Sequence, residues 1–222
     1  MTGPVRHSLQ LARKDLRLEL RAGEALLVTA PFGAVALVFV PLAVGTDVPL
    51  LRTVGPGMFW VVVLLFGVLV TVRQSAVDGP AQLALLRLCG VHPAARLAGR
   101  ALANAVLLCL FQTLLVPVAV VLYDPDLTGW RWLLPVIPLV AVGLALLGAL
   151  TDELARGLAG RTTLGPLLAV PVALPILLCA TQTLELARYG RAPWPWLLLL
   201  LTVDLLTALA VGLVARHLEE SA

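Results

Sequence analysis

Charged side chains are scarce in this sequence. They make up 13% of 222 residues, against about 25% in soluble domains. Hydrophobic residues reach 60%, and mean hydropathy is +0.98. A water-soluble fold with that composition would lack the polar surface to stay dispersed, and the same apolar excess excludes disorder. Lysine is almost missing: Lys14 stands alone against fifteen arginines. No G-x-x-x-x-G-K-[ST] phosphate loop can therefore be written. The three cysteines, Cys89, Cys109 and Cys179, are far apart with no Cys-x-x-Cys, which supports neither a disulfide framework nor a zinc site. Serine occurs only at Ser8, Ser75 and Ser221, none inside an apolar run, so a Ser/His/Asp hydrolase has no footing. The net charge of +3 is too small for a nucleic-acid binder.

What remains is long apolar runs. A helix needs about 20 apolar residues to cross a ~30 Å hydrocarbon core. Six runs qualify: 25–44, 54–72, 101–123, 133–150, 164–184 and 196–215. They are continuous rather than alternating, which disfavours a β-barrel. The expected fold is an all-α membrane protein of six transmembrane helices. Pro171 and Pro175 fall inside the fifth run, so neighbouring helices or water must satisfy the carbonyls they free. No inverted duplication relates the two halves, which weakens a secondary-transporter reading. With both termini cytoplasmic, twelve basic residues lie inside and four (Arg52, Arg131, Arg188, Arg191) outside. The positive-inside rule selects that orientation.

Residues 1–24 precede the first run and read as a cytoplasmic leader rather than a cleavable signal peptide. Leu9, Ala12, Leu16 and Leu20 share one helical face. Arg13, Arg17 and Arg21 form a stripe at i, i+4 beside it. Such a helix can lie in the membrane interface, leucines toward acyl chains and arginines at headgroups. The simpler reading is a solvated basic leader that only sets topology. Residues 25–216 would form the membrane domain and 217–222 a short cytoplasmic tail.

Between the second and third runs lies the longest polar insertion, residues 73–100. Asp78-Gly79-Pro80 has the form of a helix start, and residues 81–88 make a short leucine-rich helix ended by Gly90 and Pro93. It is too short to span and too apolar to stand free in water. Its partner is either the headgroup layer or another protein.

These features together resemble the CcmB family. The resemblance rests on six spans, a leader ending in Arg21-x-Gly23-Glu24, and Pro56-Gly57-x-x-Trp60 opening span two. Asp78-Gly79 before a leucine-rich helix and Arg100 before span three complete it. In family members Ser-Leu-Glu usually follows the Asp-Gly, where this chain has Pro80-Ala81-Gln82; a His-Trp pair early in span three is replaced by Asn104-Ala105. The resemblance implies the permease subunit of an ABC-type exporter in the bacterial cytoplasmic membrane, acting in haem handling for cytochrome c maturation. It implies a separate CcmA-like cytoplasmic ATPase that binds ATP, a homodimer of permease chains, and further cytochrome c maturation membrane proteins as partners. Haem would be a substrate or ride on a partner, with no cofactor bound directly and no catalysis by this chain. The short helix would be the coupling element, with Asp78 and Gly79 opening it and Leu83, Leu86, Arg87 and Leu88 seated in a groove of the ATPase. A permease for a lipid, drug or polymer, and a non-transporting scaffold, are the alternatives.

Within the spans, Asp204 stands in the middle of the sixth. An ionised carboxylate there costs at least about 2.5–3.5 kcal/mol on insertion scales, so it must be neutral, paired or facing water. Gln112 in span three is a candidate partner. Asp204 then belongs either to a substrate or conformational pathway, or to a helix–helix hydrogen-bond clasp. Asp152-Glu153 reads as a solvated pair at a helix end. Trp130, Trp132, Trp194 and Trp196 at the outer helix ends read as an interfacial belt, with a docking surface for a hydrophobic substrate as the other reading. The histidines, His7, His92 and His217, all fall at the cytoplasmic side, which leaves external haem ligation by His without support.

Overall fold

The computed structural model describes residues 4–22, 27–45, 47–77, 93–157 and 164–220, and every regular element among them is helical. The α-helices are α1 (Pro4–Ala22), α2 (Thr29–Val44), α3 (Val48–Val77), α4 (Pro93–Tyr123), α5 (Leu133–Gly157), α6 (Leu164–Arg188) and α7 (Trp194–Glu220). A 3-10 helix, Leu127–Trp132, joins α4 to α5. The links after α2, α4 and α6 are short, so successive helices run antiparallel. One end of the bundle carries Tyr123, Trp130 and Trp194 (the tryptophan end). The other carries the start of α4 and the end of α5 (the arginine end).

Among the described residues, five helices are long and apolar enough to cross a membrane: those containing residues 48–70, 94–123, 127–152, 170–188 and 194–215. The first expected span appears as α2, 16 residues long, or about 24 Å. The other helices outrun the apolar stretches on which they were expected. α4 begins at Pro93 rather than at 101, because proline at the first helical position costs no hydrogen bond. α5 continues to Gly157 and α7 to Glu220. Lipid dictates where a run is apolar, whereas a helix continues for as long as its backbone ladder does.

Packing separates the faces of each helix. On α7, Leu197, Leu200, Asp204, Thr207, Val211 and Ala215 are buried at three- and four-residue steps, while Leu198, Leu201, Leu205, Leu209 and Leu213 are exposed. An exposed face of leucines is a lipid-facing surface. Between helices the contacts are made by small residues, among them Ala103, Ala141, Ala145, Ala173 and Ala180, all buried. Without a hydrophobic effect between helices in lipid, close approach of backbones supplies the attraction.

α1 lies along the start of α4 rather than standing apart. Ala12 is buried there, and Gly99 of α4 comes so close that a methyl group on it would sit 2.8 Å from the Ser8 carbonyl oxygen. The packed face therefore centres on Ser8 and Ala12, not on the expected leucine stripe. Leu9 is 60% exposed, Leu16 is half-buried, and Arg13 and Arg17 point away from the protein. The side chains of Leu20 and Arg21 lie outside the described residues.

Candidate functional site

The segment expected to grip an ATPase, with Asp78, Gly79, Leu83, Leu86, Arg87 and Leu88, lies outside the described residues. The polar groups within them fall into two sets: those at the ends of the bundle and those in its middle.

At the tryptophan end the acidic groups Asp124 and Asp126 are paired, while the buried Trp60 Nε1 has no partner among the described residues. Asp124 closes α4 in a left-handed conformation (φ 43°), a region that Asp tolerates better than most residues. Arg52 of α3 holds it from both sides: Nε donates to the Asp124 carbonyl at 2.9 Å and Nη2 to its carboxylate. Two residues on, the Asp126 carboxylate accepts from the Thr128 backbone N–H at 3.0 Å and from the Thr128 hydroxyl, capping the 3-10 helix. Arg188 at the end of α6 lies 3.9 Å from it. The Thr128 hydroxyl bond, then the backbone bond, hold Asp126 below the usual carboxylate range, with Arg188 and Arg52 adding to the effect.

Tyr123 solves a problem created thirteen residues into α2. Pro41 has no N–H, so the Leu37 carbonyl four residues earlier loses its helical partner. The Tyr123 hydroxyl donates to that carbonyl at 2.8 Å, and both residues are buried. Gly55 of α3 leaves room for the ring, since a methyl on it would lie 2.7 Å from Tyr123 Cβ and Cγ. Between α3, α4, the 3-10 helix and α6 a small pocket of about 110 Å³ opens. Phe59, Trp60, Tyr123 and Trp130 supply aromatic wall, and Arg52, Asp126, Glu185 and Arg188 the charged lining. Trp132 and Trp194 meet edge to face at 5.2 Å beside it, with Trp130 and Trp194 exposed as an interfacial belt requires.

The arginine end is also paired. Arg100 Nη1 of α4 donates to the Asp152 carboxylate of α5 at 2.7 Å, with only 7% and 15% of the two side chains exposed. Asp152 is thus not the solvated charge expected. A carboxylate one turn from lipid is drawn to a guanidinium on the neighbouring antiparallel helix, where each lowers the other's desolvation cost.

The middle of the bundle is different. Asp204 is 4% exposed, and neither carboxylate oxygen has a hydrogen-bond partner. Ten residues from Trp194, it lies about 15 Å along α7, near the midplane of a ~30 Å core. The clasp with Gln112 is not formed: both polar atoms of Gln112, fully buried on α4, are themselves without partners. Asn104, one turn from Arg100 and so nearer the arginine end of α4, is in the same condition. The neighbouring threonines do not help. The Thr202 and Thr207 hydroxyls donate to the carbonyls of Leu198 and Val203 on their own helix, each at 2.7 Å. Asp204 packs instead against bare backbone. A methyl on Gly143 of α5 would overlap its Oδ1 and stand 3.0 Å from Ile176 Cδ1 of α6. Gly143 is ten residues into α5, hence at the same depth as Asp204.

Sequence reasoning found Asp204 because it is the charged residue deepest in a run. It missed Gly143, one glycine among 18 with no local signal. Arg52 and Arg188 entered it only as topology markers, and Tyr123 not at all. A proline whose freed carbonyl needs a donor was the available clue to Tyr123. Among the described residues no three His, Cys, Asp or Glu side chains gather to hold a metal.

Comparison with known proteins agrees over nearly the whole chain. The family model described as CcmB protein matches residues 6–218. "Heme exporter protein B" of Pseudomonas aeruginosa is 32% identical over 211 residues, covering 93% of this chain and 91% of the relative. The proteins of the same name from Haemophilus influenzae and Paracoccus denitrificans are each 29% identical. They cover 81% and 87% of this chain, and 81% and 89% of their own lengths.

Proposed function

This chain belongs to the CcmB family, and from that premise we propose that it is the membrane permease subunit of an ABC-type exporter serving haem handling in cytochrome c maturation. The observation that carries the reading is a family match from residue 6 to residue 218 together with relatives named for haem export. The chain is a multi-pass membrane protein, with five long apolar helices. In this reading α2 is a sixth span. The helical residues 27–44 reach about 27 Å, within a few ångströms of what a thin bilayer requires.

Six spans return the C-terminus to the side of the N-terminus, and the arginine count makes that side the cytoplasm of a bacterial inner membrane. The arginine end is then cytoplasmic and the tryptophan end external. α1 lies at the cytoplasmic interface, its packed face on α4 and its flanking leucine and arginines, Leu9, Arg13 and Arg17, toward lipid and headgroups. Energy comes from a separate ATPase, because the chain has no phosphate loop of its own. Residues 78–88 dock in a groove of that ATPase through Leu83, Leu86 and Leu88, with Arg87 at the edge. Two permease chains and two ATPases form the working unit. ATP is bound by the partner, and haem is cargo of this chain or of a neighbouring maturation protein.

The test is reconstitution in lipid nanodiscs with a CcmA-like ATPase from the same organism. The reading expects ATP hydrolysis stimulated several-fold over the ATPase alone, and further changed by haem. Leu83→Asp with Leu86→Asp should abolish co-purification and stimulation together. Stimulation without any response to haem would favour another cargo. No stimulation and no co-purification with the wild-type chain would reduce it to a scaffold.

A further inference from the structure

We propose that Asp204 is a proton-binding site, carried as a neutral carboxylic acid in the arrangement seen here and able to release its proton only when α7 shifts against α5. The inference rests on the membrane placement of α7, not on haem as cargo or on the ATPase.

Three observations carry it. Asp204 is 4% exposed, and both of its oxygens lack any hydrogen-bond donor. An anion in lipid needs a cation, a set of donors or water, and the described residues offer neither a cation nor a donor to either oxygen. The carboxyl is also seated rather than stray. It lies on the bare backbone of Gly143, in a space that a single methyl would fill, with Ile176 of α6 closing the other side. Finally, the polar neighbours that could have made it a structural clasp are otherwise disposed: Thr202 and Thr207 bond back to their own helix.

The ionisable surroundings are sparse. Of the helices packed on α7, α6 brings Cys179, which is buried. α5 presents Gly143 at this depth, and its Asp152 lies about 14 Å farther along the helix, paired to Arg100. α4 brings Arg100, buried but engaged with Asp152 at the arginine end, and the uncharged Asn104 and Gln112. Nothing here compensates a negative charge, so ionisation requires water. Water reaches the site when the α7–α5 contact opens. The Asp204 O–H bond then breaks heterolytically, its electron pair stays on the carboxylate, and the proton passes to that water. Closure reverses the step, with no oxidant or reductant involved. A helix pair that packs tightly only when the acid is neutral ties the packing of the bundle to protonation.

The experiment uses the full chain in lipid nanodiscs, with aspartate labelled with carbon-13 at the side-chain carboxyl, and infrared difference spectra against Asp204→Asn. The expected result is a protonated-carboxyl stretch at neutral pH that is absent from Asp204→Asn and converts to a carboxylate band as pH is raised. Carboxylate bands alone at neutral pH would overturn the proposal. Gly143→Ala, which keeps Asp204 and evicts it from its seat, provides the difference spectrum if Asp204→Asn does not fold. It should shift the stretch and lower the pH of conversion by at least one unit. An unchanged stretch with an unchanged titration in Gly143→Ala would overturn the geometric basis.

Discussion

The ends of this bundle and its middle treat polar side chains in opposite ways. At the ends, Arg52 holds Asp124, Thr128 and Arg188 hold Asp126, Tyr123 serves the carbonyl freed by Pro41, and Arg100 meets Asp152. In the middle, Gln112 and Asp204 are buried and without partners among the described residues, as is Asn104 one turn in from Arg100. In lipid an unsatisfied polar group is costly, and a chain that needed only stability would have none there. The paired ends hold the helices in register. On the proposal above, the unpaired middle is where the protein keeps a group for something other than holding itself together.

That contrast can be broken at its strongest pair first. Arg100→Met leaves the Asp152 carboxylate without its 2.7 Å partner in a nearly buried position. Removing one partner of a buried pair costs about 3–5 kcal/mol. Reversible denaturation in mixed micelles should show a loss of that order. A loss under about 1 kcal/mol would mean that the arginine end is wetter than described.

A smaller effect sharpens the role of Tyr123. Tyr123→Phe removes one intramembrane hydrogen bond, for which about 0.6–1.7 kcal/mol is typical. In a Pro41→Ala background the restored N–H serves the Leu37 carbonyl, so the same change should cost measurably less. Additive losses across that double-mutant cycle would show that the tyrosine does not replace the missing helical bond.

The smallest effect concerns Asp126. Its folded value is depressed, so its contribution to stability is present above the ordinary carboxylate range. It is lost as pH falls from about 4 through the lower folded value. Thr128→Val deletes the hydroxyl that contributes most and should raise the Asp126 titration toward the ordinary range in carboxyl carbon NMR. An unmoved titration would assign the shift to the residue-128 backbone N–H and Arg188 instead.

Much of this architecture could be read from residue order, for physical reasons that also mark where reading stopped. Continuous apolar runs identified the spans, because lipid selects composition over a fixed thickness. The helix ends beyond them were not legible, since α4 and α5 extend as helix through Arg100 and Asp152, where polar side chains pair with each other rather than end the helix. α1 was legible as a helix but not in its contact face, because Ser8 and Ala12 meet α4 through the absence of a side chain at Gly99. Asp204 announced itself by charge alone. The seat at Gly143 did not, because an empty space has no letter in a sequence.

The central claim is that the middle of the bundle works and the ends support. It is tested most directly by stimulated ATP turnover of the proposed partner ATPase in nanodiscs containing Asp204→Asn. The account predicts a protein whose denaturation midpoint stays within about 1 kcal/mol of wild type but whose stimulated turnover falls at least tenfold. Full stimulated turnover from a stably folded Asp204→Asn chain would contradict it.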